Sequence, residues 1–158
     1  MEVIHKLMAI DPGTKATGWA LFRLQRLVAA GLYRGKHAAE TIGQIQAAPI
    51  YDLDVLIVER PQVYDRHRTK GDPNALIPLA MIGGAAAGVH GWAELRAPHP
   101  NEWKGAISKE IHHPRILAEL RPEELAVVEA MKGVPASLRH NVLDAIGLGL
   151  WGLGRSPR

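Results

Sequence analysis

Three apolar runs open the chain, over residues 3–11, 17–23 and 26–33, and only short turns at Pro12-Gly13 and Leu24-Gln25 separate them. Gaps that short hold no crossover element, so the runs must pair as antiparallel strands. After them the rhythm changes. Residues 36–47 are Ala-rich with polar spacing and predict a helix stopped by Pro49. A continuous apolar strand follows over 54–59, which suits a central strand covered on both faces. Residues 74–90 are apolar and rich in small side chains, predicting a buried helix, and 92–97 predict a fifth strand. Helical periodicity runs through 114–132, where Pro122-Glu123-Glu124 marks a second start or a kink. The last helix, 136–152, carries Leu138, Val142, Leu143, Ile146, Leu150 and Trp151 on its apolar face, with Ser137 as its expected cap. Strands that pair first and then alternate with helices define an α/β domain with a five-stranded mixed sheet, strands 1–3 antiparallel and 4–5 parallel. The domain is expected to span residues 1–152, with 153–158 as a frayed tail.

A chain of 158 residues is long enough for one domain with a proper core. Its 47% hydrophobic and 22% charged residues exclude a disordered chain. The absence of cysteine excludes disulfides, thiolate metal sites and a cysteine nucleophile. No basic stretch leads into a long apolar core at the N-terminus, and the apolar stretches near 75–93 and 142–153 are interrupted. Neither a signal peptide nor a membrane span is predicted, and the expectation is a soluble cytoplasmic protein. A net charge of +3 permits an anionic partner without requiring one.

Three carboxylates stand apart from ordinary surface acids. Asp11 ends the first apolar run, Glu59 ends the run Val55-Leu56-Ile57-Val58, and Asp144 lies in the last helix between Leu143 and Ala145. A carboxylate at the end of a buried strand must be paired, hold a metal or do chemistry. His140 is one helical turn before Asp144 and shares its face, and Asn141 lies three residues before it. Each acid has an ordinary explanation taken singly. An Asp before Pro-Gly caps local N–H groups, Glu59 beside Arg60 forms a surface ion pair, and Asp144 is a solvated helix residue. Together those explanations require three coincidences. Gathered at one point, two strand ends and one helix face would build an oxygen-ligand site for a hard cation such as Mg²⁺. Two such ions about 4 Å apart hydrolyse phosphodiesters by activating a water and stabilising the leaving oxygen.

In order and spacing, four segments resemble the RuvC-type Holliday junction resolvases of the ribonuclease H-like superfamily. They are Ala9-Ile10-Asp11-Pro12-Gly13-Thr14 through Gly18-Trp19-Ala20, and Val58-Glu59 through Gln62-Val63-Tyr64. Pro100-Asn101-Glu102-Trp103-Lys104 with Lys109 and His140-Asn141-Val142-Leu143-Asp144 through Leu148 complete the set. The resemblance implies a ribonuclease H-like fold and a homodimer that cuts four-way DNA junctions symmetrically. It implies divalent metal, two Mg²⁺ per site with Mn²⁺ as a substitute, and no small-molecule cofactor. Asp11, Glu59 and Asp144 match three of the family's four ligands. The fourth position, an Asp or His three residues before the last acid, is Asn141 here. His140 is taken as the catalytic ligand in its place, with Asn141 as an alternative oxygen donor.

Contacts with junction DNA are expected from the loop after Glu59. Arg60, Arg66, His67, Arg68 and Lys70 face only Asp65 there, and positive charge beside an acidic site is what a phosphodiester requires. Tyr64 resembles the family's base-stacking aromatic, worth about 1–3 kcal/mol per base. Lys104 and Lys109 resemble its phosphate-binding lysines, and Trp103 reads as an anchor for its loop. His112 and His113, adjacent on a helix, do not face one ion and read as DNA-facing or solvated. The small-residue helix over 74–90 is expected at the dimer interface. The resemblance places the protein in a bacterial or phage-infected cytoplasm. Two other readings are an RNA-processing ribonuclease H-like nuclease and a junction-binding protein that has lost catalysis.

Overall fold

The computed structural model describes residues 3–63 and 72–155. Its strands are β1 (Lys6–Asp11), β2 (Ala16–Arg23), β3 (Arg26–Arg34), β4 (Leu53–Val58) and β5 (Trp92–Arg96). Helix α1 (Ala38–Ala47) precedes β4, and α2 (Pro73–Val89) precedes β5. Then come α3 (Pro100–Trp103), α4 (Lys109–Glu119), α5 (Pro122–Glu129) and α6 (Arg139–Gly152). The sheet order is β3-β2-β1-β4-β5. β1–β2 and β2–β3 are antiparallel, and β1–β4 and β4–β5 are parallel. This is the mixed sheet expected from the strand pattern.

The two central strands are apolar over Leu7–Ile10 and Val55–Val58 because helices cover both of their faces. Side-chain alternation sorts them into two cores. Leu7 and Ala9 of β1 with Val55 and Ile57 of β4 join Val142, Ile146 and Leu150 of α6. Met8, Ile10, Leu56 and Val58 face the other way, onto Ile45 of α1 and Ile82 and Ala86 of α2.

Several local expectations change. The helix over 74–90 is not buried: Ile82 and Ala86 face the core, while Ile77 and Met81 are 59% and 57% exposed. Its uniform apolarity hid which side was covered, since a helix without polar residues has no face to read. The periodic stretch at 114–132 is two helices, and the first begins earlier, at Lys109. Pro114 sits inside α4 on its exposed side, so the backbone bond it omits is lost toward solvent. The segment after Pro98 forms the single turn α3, which Pro100 opens. Ser137 does not cap α6. It lies in a 3₁₀ turn, Ala136–Leu138, that leads straight into the helix.

Of the expected tail, Arg155 is held firmly. Its guanidinium makes two 2.8 Å hydrogen bonds to Glu124, which has no exposed surface. It also donates to the carbonyls of Gln25 and Glu119. Glu124 in turn accepts from the backbone N–H groups of Leu27 and Arg121. One ion pair thus ties the β2–β3 turn, the end of α4, the start of α5 and the chain beyond α6. Among the described residues, no helix is long and apolar enough to cross a membrane.

Candidate active site

The strand phase brings the first two acids together. Ile10 of β1 pairs with Val58 of the parallel strand β4, so the next residue of each, Asp11 and Glu59, emerges at the same edge of the sheet. The Glu59 N–H continues the ladder by donating to the Ile10 carbonyl at 3.0 Å. Positions 7, 9 and 11 of β1 and 55, 57 and 59 of β4 share a face, and that face is covered by α6. Asp144 sits on α6, 3% exposed. Residues 133 positions apart in the chain are therefore directed at one point (144 − 11).

The Pro-Gly turn does not occupy Asp11. Thr17 closes that turn instead, its hydroxyl donating to the Gly13 carbonyl at 2.8 Å and accepting the Gly13 N–H at 3.1 Å. No described residue donates a hydrogen bond to the Asp11 carboxyl. Burial, and then the nearby Glu59 and Asp144 carboxylates, push Asp11 well above the usual carboxylate range, while Lys104 and Lys109 oppose this. Burial also raises Glu59, against the pull of Lys104 and the Trp103 hydrogen bond. The acids feel one another, so they form one electrostatic site.

Four side chains frame these acids. The buried Trp103 donates its indole N–H to Glu59 Oε2 at 2.6 Å, which makes it the anchor expected. Lys104 Nζ lies 3.8 Å from the same oxygen and 5.0 Å from the Trp103 ring centre. Lys109 Nζ lies 3.4 Å from Asp144 Oδ2. His113 Nε2 lies 2.9 Å from Asp144 Oδ1.

The last contact was missed in the sequence. His112 and His113 are not a solvated pair. His112 is buried, edge-on to Trp103, and burial lowers its pKa. His113 turns to the acid. Only the pairing of α4 with α6 reveals this, although the apolar Ile116, three residues on, was a signal for which side of α4 faces inward. His140 lines an open groove with Lys109, Glu110, His113 and Pro114. No described hydrogen bond or ion pair joins His140 or Asn141 to Asp144. Arg60 is exposed, its backbone N–H donating to the Pro98 carbonyl at 2.9 Å. Tyr64, Arg66, His67, Arg68 and Lys70 lie outside the described residues.

Gly18 sets how closely α6 approaches. It pairs with Asp11 across β1–β2, and a Cβ on it would lie 2.0 Å from the backbone carbonyl oxygen of Asn141. Gly18→Ala must displace the helix that carries Asp144. The expected cost is about 1–3 kcal/mol of stability, read by denaturant titration. An unchanged midpoint would mean that α6 yields freely.

Among the described residues, no group of three or more His, Cys, Asp or Glu side chains is placed to hold a metal ion. The donor set nonetheless suits a divalent cation. It offers carboxylate oxygens from three elements, whose mutual repulsion already raises Asp11, and a cation between them removes that repulsion.

No family model and no curated protein matches the chain in sequence. Solved structures do match. RuvC of Thermus thermophilus, determined in complex with Holliday junction substrate, is 19% identical with a TM-score of 0.60, over 92% of this chain and 90% of that one. The fowlpox virus Holliday junction resolvase is 15% identical with a TM-score of 0.54, over 94% and 98%. The yeast mitochondrial Holliday junction resolvase is 11% identical with a TM-score of 0.50, over 97% and 82%. The chain shares the fold of these Holliday junction resolvases.

Proposed function

We propose that this chain is a divalent-cation-dependent endonuclease that resolves four-way DNA junctions by paired, symmetric phosphodiester hydrolysis. The observation that carries the reading is the convergence of Asp11, Glu59 and Asp144 at one sheet edge of a resolvase fold, with Lys104 and Lys109 beside them. Surface acids have no reason to gather from three elements against their own repulsion.

Asp11, Glu59 and Asp144 would hold the cation, Mg²⁺ or a substituting Mn²⁺ and two per site, with His140 or Asn141 as the fourth ligand expected from sequence. When bound, it supplies water activation and charge for the leaving oxygen. Trp103 fixes the Glu59 carboxylate by hydrogen bonding to one of its oxygens. Lys104 and Lys109 now neutralise Glu59 and Asp144. With those carboxylates engaged by a cation, the two ammonium groups turn to the phosphate. Arg60, Tyr64, Arg66, Arg68 and Lys70 would extend the contact along the junction arms. Water adding to phosphorus at this acid-lined corner would break one P–O ester bond, and the leaving oxygen would take up a proton.

Symmetric cutting needs two copies. On α2, Ile77, Met81, Gly84 and Gly88 recur at the spacing of a helix-pairing seam, and Cβ atoms on Gly84 and Gly88 would meet open space. A second copy of the chain docked there would cover them. Light scattering during gel filtration should report a dimer at micromolar concentration, and Met81→Glu should yield a monomer. A strictly monomeric wild type would remove this interface.

The activity is tested by titrating Mg²⁺ or Mn²⁺ into the protein with a labelled four-way junction. Paired nicks in the junction and none in linear duplex are expected. Binding without cutting in every divalent ion would leave only the non-catalytic reading, and cutting of structured RNA in preference to the junction would favour RNA processing.

A further inference from the structure

The contact between His113 and Asp144 is built by helix packing. On α4, His113 and Ile116 are three residues apart and share a face, and on α6 so do Asp144 and Gly147. The two pairs meet in register. Ile116 is fully buried against Gly147, where a Cβ would lie 2.5 Å from its Cδ1. With that contact made, His113 Nε2 stands 2.9 Å from Asp144 Oδ1, its side chain only 15% exposed. Lys109, one turn earlier on α4, completes the row at Asp144 Oδ2. His140 lines the same open groove as Lys109 and His113, and among the described residues it makes no hydrogen bond or ion pair to Asp144.

The spacing has a chemical meaning. Two ligands at right angles on an octahedral ion, each about 2.1 Å from it, are about 3.0 Å apart. The Nε2–Oδ1 pair already stands at that separation. To share a cation, His113 needs only to lose the Nε2 proton and turn its ring by about 45°, so that the lone pair faces an ion beside Oδ1.

We propose that His113 supplies an imidazole nitrogen to the divalent cation that Asp11, Glu59 and Asp144 hold, in the role expected of His140 or Asn141. The inference rests on the metal-dependent reading above. An imidazole among carboxylates shifts the site toward transition ions, so Mn²⁺ should bind more tightly than Mg²⁺.

Mn²⁺ added to the full chain without DNA is the probe, and electron spin-echo modulation from directly bound imidazole nitrogen is the readout. The modulation should be present in wild type, retained in His140→Gln and lost in His113→Gln, with Mn²⁺ affinity falling at least about tenfold in the last. His113→Asp, which keeps a ligating atom, should recover much of the Mn²⁺ affinity without the nitrogen signal. It also answers the question if His113→Gln fails to fold. Modulation that survives in the His113 variants and vanishes in His140→Gln overturns the proposal. So does bound Mn²⁺ with no imidazole signal in wild type. A wild type that binds no Mn²⁺ at all instead removes the metal-dependent reading itself, and the proposal with it.

Discussion

Asp11→Asn is expected to reduce junction cutting by roughly 10³-fold or more, while junction binding persists and the metal-free protein becomes more stable. The loss follows from removing a full negative charge at the point where three carboxylates converge. Binding is expected to persist because the proposed phosphate contacts, Lys104, Lys109, Arg60, Arg66 and Arg68, are untouched. The gain in stability follows from the sign of the Asp11 shift. Its carboxyl is raised by burial, Glu59 and Asp144, so its ionised form costs the folded state more than the unfolded chain. Above the raised value that cost is present, and asparagine, similar in shape and neutral, removes it. Calorimetry in a chelator should show a higher melting temperature, about 2–4 °C for each kcal/mol recovered. Wild-type cutting by Asp11→Asn would place the chemistry elsewhere. A lower melting temperature would mean that the acids do not repel.

Arg155→Ala carries the largest expected stability loss, about 3–5 kcal/mol, because it strands the buried Glu124 carboxylate without its cation. Replacing Glu124 as well should recover only part of this. The Leu27 and Arg121 N–H groups would still lack their acceptor, at about 1–3 kcal/mol for each buried orphan. The same pair predicts an acid limit. Hydrogen bonds from Arg155, Arg121 and Leu27 overcome the cost of burial and hold Glu124 at about 2, against an ordinary 4.5. A depressed carboxyl stabilises the fold fully above its unfolded value, and that contribution is lost as pH falls from about 4.5 toward about 2. Urea titrations across that interval should show wild type losing stability faster than Arg155→Ala. Parallel curves would mean that the clamp is not charged.

The sheet was legible because its logic is local. Short turns after Asp11 and Arg23 permit only antiparallel partners, and unbroken apolarity at Val55–Val58 marks a strand covered twice. Asp11, Glu59 and Asp144 were legible for a related reason, since charge inside an apolar run needs an explanation. What could not be read was pairing between distant helices. His113 meets Asp144 only because Ile116 fills the space left by Gly147, and no spacing within either helix encodes that. The same holds for Arg155, which looked like part of a loose end until Glu124 of α5 was seen beneath it. Conversely, α2 misled because Ala and Gly suit a core and an open seam equally.

The shared face of Asp11 and Glu59 bears on how such a chain can diverge. Both positions depend on strand phase, in which one added or deleted residue turns every following side chain over. Apolar substitutions of similar volume along β1 and β4 leave that phase unchanged. A single-residue insertion or deletion inside either strand would send one acid to the α1–α2 side and break up the proposed site. In α1 a length change would instead turn Ile45 out of the core. Strand phase therefore constrains the two acids more tightly than the identity of their apolar neighbours does.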